Sequence, residues 1–248
     1  MDSLSDKHPL LKQIRRAVSR GTLTEDGYAL AEGVHLLAEA RAAGREIGAI
    51  LAAESASSRF PEARVISDKA FREIASTETP QGVIALVRPG SWSFEDMLTA
   101  DALIVVLDGI QDPGNAGAIL RASAAFGASG VVFLKGTVNP YNPKCLRGSA
   151  GSAFRVPLVS AIEAREFLDR VSLPFYAAMP RATRLASEAD LASPCALIIG
   201  SEGHGVSSQI QTRAQGVRIP TSGVESLNAA VAAGILLYEA RRQRGGSA

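Results

Sequence analysis

The chain has 248 residues, 46% hydrophobic, 21% charged and 5% aromatic, enough apolar material to bury one large core or two smaller ones. A formal net charge of +1 excludes a globally polybasic or polyacidic molecule. Two cysteines outside any CxxC pattern, three isolated histidines (His8, His35, His204) and no apolar run near the ~18 residues of a membrane span point away from metal and membrane; with no secretory signal, a cytoplasmic protein with free thiols is expected.

Along the chain, "KHPLLKQIRRAVSR" has helical period and carries Lys12, Arg16 and Arg20 on one stripe. That stripe suits either a solvated face or an RNA backbone. "YALAEG" follows as a strand, "VHLLAEARAAG" as a helix closed by Gly44, and "EIGAILAAE" as a second strand. "ARVISD" and "VIALVRP" read as two more strands, with "KAFREIA" helical between them. These elements make an α/β domain over residues 1–88. Turn formers and the single Trp in "PGSWSFEDMLTA" mark a linker at residues 89–100.

Residues 101–248 have blunter apolar runs: "ALIVVL", "GVVFL", "FYAAM" and "ALIIG". Such runs suit strands buried on both faces of a mainly parallel sheet covered by helices. Helices are expected at 115–127, 161–171 and 206–214, and in the closing "LNAAVAAGILLYEARRQR". That last helix is small early (Ala229, Ala230, Ala232, Ala233, Gly234) and apolar at Ile235, Leu236, Leu237 and Tyr238, which suits a tightly packed surface, expected to be that of a homodimer. Its Arg241, Arg242 and Arg244 suit a helix C-terminus through the dipole alone.

Charge is distributed unevenly. From Pro113 to Ile162 there is no Asp or Glu, while Arg121, Lys135, Lys144, Arg147 and Arg155 all fall inside. The segment is either one phosphate-binding surface or cations scattered over several faces.

Three loops at strand ends carry unusual residues. The first, "DGIQDPGNAGAILR", puts Asn115, Gly117 and Arg121 on the helix that follows a buried strand. The second, "IIGSEGHGVS", surrounds Glu202 with Gly200, Gly203 and Gly205, beside Ser201. The third, "RIPTSGVESLNAAVAAG", holds Ile219, Pro220, Gly223, Ser226, Leu227 and Asn228 ahead of the final helix. No GxGxxG, GxxxxGK[ST] or GxSxG spacing is present, which disfavours dinucleotide enzymes, P-loop NTPases and α/β-hydrolases.

As an ordered set, these loops resemble the SpoU/TrmH family of RNA ribose 2′-O-methyltransferases of the SPOUT superfamily. "NPKCLRGSAGSAFRVPL" (142–158) is similar to the family's segment between its first two motifs. "LAEGVHLLAEA" and "TETPQGVIALV" resemble the ribosomal-protein-L30e-like substrate-binding domain that often precedes this catalytic domain. The Pro220–Ser226 loop is about one residue shorter than in many members, and Ala229 and Ala230 follow the Asn.

The resemblance implies an L30e-like α/β domain followed by a trefoil-knotted α/β methyltransferase domain that holds S-adenosylmethionine without a metal. It implies ribosomal or transfer RNA as substrate and a homodimer as the working unit. Gly200, Ser201, Gly203, Ile219, Pro220, Ser226 and Leu227 become cofactor-binding candidates. Arg121, Asn115, Glu202, Ser226 and Asn228 become catalytic candidates, and Arg121, Lys144 and Arg147 contact RNA. A guanidinium stays protonated, so Arg121 reads as a phosphate clamp and hydroxyl orienter rather than a base. Glu202 reads as a brace for the knot or for Asn115. The competing reading is a catalytically silent RNA-binding module that retains the fold.

Overall fold

The computed structural model describes residues 3–245. They form two compact units, and the division does not follow chain order: residues up to 91 join 141–155 in the first, and 92–140 join those from 156 on in the second.

The first unit is built on a four-stranded sheet of β1 (Ala29–Glu32), β2 (Ile47–Ala53), β3 (Arg64–Ile66) and β4 (Val83–Val87), in the order β1-β4-β2-β3. Only β2 and β3 pair parallel. Helix α1 (Pro9–Arg20) starts at a His8 cap and stops at Gly21, a left-handed residue at φ +63° that costs glycine little. Its Leu11, Ile14 and Ala17 are buried, while Lys12, Arg16 and Arg20 are exposed, with Arg16 paired to Glu25 at 2.6 Å. Helices α2 (Val34–Ala42) and α3 (Asp68–Ile74) complete the layer. A short helix from the later chain, α5 (Pro143–Gly148), packs against β1.

The second unit holds six strands, all parallel: β5 (Leu103–Asp108), β6 (Gly130–Leu134), β7 (Leu158–Ile162), β8 (Phe175–Ala178), β9 (Cys195–Gly200) and β10 (Gln215–Val217). Their order is β10-β8-β9-β5-β6-β7. The chain leaves β5 toward β6 and β7, then returns to the other side, so the winding reverses between β5 and β9. Every residue of β5 and β6 is buried, as both-face coverage requires. Helix α8 (Ala229–Gln243) packs on α4 (Pro113–Ala125), while α6 (Ala164–Arg170) and α7 (Ser208–Gln211) contact each other.

Two expected helices are shorter and two strands were not expected. The helix at 161–171 is α6 preceded by the strand β7, the helix at 206–214 is only α7, and neither β7 nor β10 was anticipated. Both strands lie at sheet edges, where one open side removes the need for a continuous apolar run. The stretch expected as a linker is part of the second unit from Trp92 onward. Phe94 and Met97 are 2% and 0% exposed in its core, beside Phe167 and Val171. A Cβ at Gly130 would collide with Met97.

The acid-free segment is divided by the fold as well. Lys135 pairs with Glu163 and Arg155 with Glu39, acids from outside the segment. Arg121 and Lys135 belong to the second unit, and Lys144, Arg147 and Arg155 to the first. Two of the five cations, Lys135 and Arg155, are thus each engaged by an acid of the protein.

Arg244 also differs from expectation. Its guanidinium donates to the carbonyls of Leu191 (2.9 Å), Ser193 (2.9 Å), Asp101 (2.5 Å) and Ala102 (3.1 Å). A dipole effect alone does not describe a side chain that ties the end of α8 to the approach of β5.

Candidate active site

The two strands at the winding reversal end side by side, with Asp108 of β5 in register with Gly200 of β9. The carboxyl ends of strands at such a reversal are where open α/β sheets bind ligands. There the loops after β5 and β9 enclose an open cleft of about 550 Å³ lined by Asp108, Gly109, Gln111, Ser201, Glu202, Gly203, His204, Gly205 and Ser207.

Helix α4 rises from this edge because Pro113 occupies its first turn and the Asp112 side chain accepts from Asn115 N at 2.7 Å. That start places the Asn115 amide between two loops. Its Nδ2 donates to Glu202 Oε1, and its Oδ1 accepts from Asn228 Nδ2 at 3.0 Å. Asn228 Oδ1 in turn caps α8, accepting from Ala230 N at 2.9 Å and Val231 N at 3.3 Å. One asparagine therefore joins α4, the 201–207 loop and the start of α8. Each of Glu202, Asn115 and Asn228 holds the next in a fixed orientation.

Glycine at 200 is required by the loop itself. Ser201 and Gly205 form a bridge, closed by Gly205 N donating to Ser201 O at 2.8 Å, and a Cβ on Gly200 would sit on the backbone of Gly205 and Val206. Gly205 takes φ +67°, whereas Gly203 has no positive φ and no atom within 4 Å of an added Cβ. Gly200→Ala is accordingly expected to destabilise the protein by about 1–3 kcal/mol through overpacking, and Gly203→Ala to leave the melting temperature unchanged. Differential scanning fluorimetry on the two variants checks the pair; equal melting points would contradict the close approach at Gly200.

The remaining expected residues are placed less closely. Arg121 is exposed on α4, four residues after the buried Gly117, and its guanidinium has no hydrogen-bond or ion-pair partner among the described residues. Its exposed neighbours on the same stripe are Gly114, Ala118 and Ala125. Pro220 and Ser226 are exposed, and Ile219 and Leu227 half-buried; none of the four lines the cleft. Lys144 and Arg147 lie on α5 in the first unit, both exposed, with Arg147 donating to Ser76 Oγ at 3.0 Å.

Four cleft side chains were not anticipated, those of Asp108, Gln111, His204 and Ser207. Asp108 is 8% exposed, and its Oδ2 accepts from Ser207 N at 2.7 Å. Its one signal in the sequence is an acid closing a wholly apolar strand. Among the described residues, no group of three or more His, Cys, Asp or Glu could hold a metal ion, and no helix is long and apolar enough to cross a membrane.

Comparison with known proteins gives concordant matches in sequence and structure. The profile of the SpoU rRNA methylase family matches residues 102–238, and that of the MRM3-like substrate binding domain matches 8–85. An uncharacterised tRNA/rRNA methyltransferase of Synechocystis is 35% identical, over 97% of this chain and 93% of its own. The 23S rRNA (guanosine(2553)-2′-O)-methyltransferase RlmP of Bacillus subtilis is 30% identical, over 96% and 98%. The crystal structure of the SpoU methyltransferase AviRb of Streptomyces viridochromogenes, in complex with the cofactor AdoMet, superposes with a TM-score of 0.87 at 27% identity, covering 98% of this chain and all of that one.

Proposed function

The chain belongs to the SpoU rRNA methylase family, and from that premise we propose that it methylates a ribose 2′-hydroxyl of ribosomal or transfer RNA, using S-adenosylmethionine. RNA methylation with this cofactor is the family's chemistry; the ribose hydroxyl as acceptor is the finer reading. Relatives named as 2′-O-methyltransferases support it. The observation that carries it is the Glu202–Asn115–Asn228 chain, which gathers three loops at the winding reversal, on the same helix that presents Arg121, which has no partner among the described residues.

The loops after β9 and β10 suit the cofactor: an added Cβ at Gly203 meets open space, and Gly200 lets the chain pass close to Gly205 and Val206. Gly200, Ser201 and Gly203 from one loop, with Ile219, Pro220, Ser226 and Leu227 from the other, would hold it, largely through main-chain groups; of these, only Ser201 and Gly203 also line the cleft beside Asp108. When bound, the cofactor supplies a methyl group on a positively charged sulfur.

For this chain's own residues the task is to align a weakly nucleophilic hydroxyl and let its proton leave. Arg121 holds an RNA phosphate through its two-pronged fork and orients the hydroxyl. Asn115, Ser226 and Asn228 offer neutral donors and acceptors to the ribose and the adjoining loop, and Glu202 fixes Asn115. The proposal includes knotted threading of the 201–207 and 219–228 loops, supported by Asn115 bonding to both Glu202 and Asn228. Residues 1–88 are assigned to substrate binding, 89–100 to the connection and 101–248 to catalysis, with Lys144 and Arg147 as further phosphate contacts.

The deciding experiment incubates the protein with methyl-labelled cofactor and RNA from cells lacking the gene, then digests the product to nucleosides. Label in a 2′-O-methylnucleoside supports the reading. Label only in a base overturns the acceptor, and no transfer with any ribosomal or transfer RNA overturns the activity.

A homodimer through α8 belongs to the same proposal. Leu236 and Leu237 are wholly buried within the subunit, yet Val231, Ile235 and Tyr238 are 51%, 38% and 58% exposed on one stripe. Tyr238 meets Phe126 of α4 edge-on at 6.2 Å. Self-complementary pairing about a two-fold axis would cover this stripe. The double variant Val231→Asp, Tyr238→Asp is expected to halve the mass measured by light scattering at micromolar concentration. A wild type that is already monomeric would refute the dimer.

A further inference from the structure

We propose that the cleft between the β5 and β9 loops holds the base of the methylated nucleotide, that this base is guanine, and that Asp108 determines the choice. The proposal rests on the reading that the chain methylates an RNA ribose, and it leaves the cofactor on the loops after β9 and β10.

Glu202 lines the cleft, and its Oε1 accepts from the amide of Asn115, the group proposed to hold the ribose. A base joined to that ribose by one glycosidic bond falls within reach of the cleft. Its volume of about 550 Å³ is in the range of small-molecule sites. Neither Lys nor Arg lines it, so it offers no cation to a phosphate, and the RNA backbone is left to Arg121 on α4. His204 supplies the one ring in the lining, and rings of this kind stack unpaired RNA bases.

The polar groups select the base. Gln111 engages its Nε2 with Gly136 O, Glu202 its Oε1 with Asn115, and Asp108 its Oδ2 with Ser207 N at 2.7 Å. What these side chains retain is mainly acceptors: Gln111 Oε1, Glu202 Oε2 and Asp108 Oδ1 make no hydrogen bond among the described residues. Asp108 is 8% exposed, and beside it Ser207 Oγ is buried with no partner among the described residues. A carboxylate so deeply placed calls for more than one hydrogen bond.

A fitting ligand therefore presents N–H donors. Among the described residues no group of three or more His, Cys, Asp or Glu could hold a metal instead. Of the four RNA bases, guanine alone has two adjacent donors on its pairing edge, N1–H and the N2 amino group. They match the two oxygens of one carboxylate, since Oδ2 keeps a second lone pair. Adenine and cytosine set a ring acceptor beside their amino group, and uracil flanks its one N–H with two carbonyl oxygens. Each would turn an acceptor toward Asp108.

Mass spectrometry of the digested RNA identifies the methylated nucleotide. The expected product is 2′-O-methylguanosine; 2′-O-methylation of adenosine, cytidine or uridine overturns the inference and leaves ribose methylation standing. Kinetics on a synthetic RNA fragment carrying that nucleotide then test Asp108. Asp108→Asn keeps an oxygen for Ser207 N and sets an amide N–H against the donors of guanine. Its kcat/KM should fall about 10–100-fold, the discrimination of one side chain paired twice to a base, with affinity for S-adenosylmethionine unchanged. Inosine at the methylated position lacks the N2 amino group; it should cost the wild type about tenfold and the variant nothing further. Should the variant melt early, the wild type decides by its response to inosine alone. Equal kcat/KM of the wild type on the two fragments removes Asp108 from recognition, as does equal kcat/KM of the two proteins on guanosine. A wild type that methylates no ribosomal or transfer RNA, or only a base, overturns the underlying reading and the inference with it.

Discussion

Replacing Arg121 with alanine is expected to lower kcat/KM for RNA methylation by about 10²–10³-fold, the loss typical of removing one preorganised charge-stabilising donor. Stability should stay within about 0.5 kcal/mol, as for exposed positions without partners. Alanine is the best helix former, and the guanidinium it replaces makes no hydrogen bond or ion pair among the described residues. The separation of the two effects is what makes the variant informative. Affinity for S-adenosylmethionine should be unaltered, because Arg121 is assigned to RNA and lies on neither of the loops, 200–205 and 219–228, assigned to the cofactor. Arg121→Lys should recover little, since a single ammonium does not reproduce a bidentate fork. Single-turnover methylation beside a cofactor titration checks all three statements. An Arg121→Ala enzyme that methylates at the wild-type rate would remove this residue from the chemistry.

The opposite behaviour is expected of Arg244. Its donors satisfy four backbone carbonyls spread over residues 101–102 and 191–193. Hydrogen bonds from a charged donor contribute about 1.5–3 kcal/mol each, and acceptors left unpaired away from water are costly. The four are one coupled unit, so their contributions do not add. Arg244→Ala should destabilise the protein by about 2–4 kcal/mol, lowering the melting temperature by roughly 4–16 °C for a chain of this size. The neighbouring Gln243 reaches the same loop, with Oε1 accepting from Leu191 N at 2.9 Å and Nε2 donating to Ala189 O at 3.1 Å. Gln243→Ala should therefore show a smaller loss of the same kind. Thermal unfolding followed by circular dichroism measures both; an Arg244→Ala melting point equal to wild type would show that these carbonyls are served equally well by water.

These two arginines also show where a sequence stops being readable. Arg121 stands out locally, as a lone charge on a helix of small and apolar residues, and its exposure without a partner among the described residues is consistent with that pattern. Arg244 sits among helix-terminal arginines and has no local signature, because all four of its acceptors lie at least 51 residues away in the chain. The same division runs through the cleft. The glycines around Glu202 are legible, since a turn's demands fall within five residues. The burial of Asp108 was not, since it and the bond to Ser207 depend on β9 lying beside β5.

Local order and long-range placement account for what each level determined. Apolar runs and helical periods are properties of consecutive residues, so the sequence by itself determined the α/β class, the buried strands β5, β6, β8 and β9, the helices α1, α4 and α8, and the three loops with their ordered motif. Edge strands β7 and β10 lack a second covering neighbour and so leave no comparable run. Which loops meet, by contrast, is set by strand order. Only the return of β9 to the side of β5 brings Asn115 to Glu202, 87 residues on, and to Asn228, 113 residues on. The tertiary structure likewise moved residues 141–155 into the first unit and divided the acid-free cations between two bodies. Hydrogen bonds and ion pairs act over a few ångströms of space with no regard to separation along the chain, and that geometry is decided by packing rather than by any run of neighbouring residues.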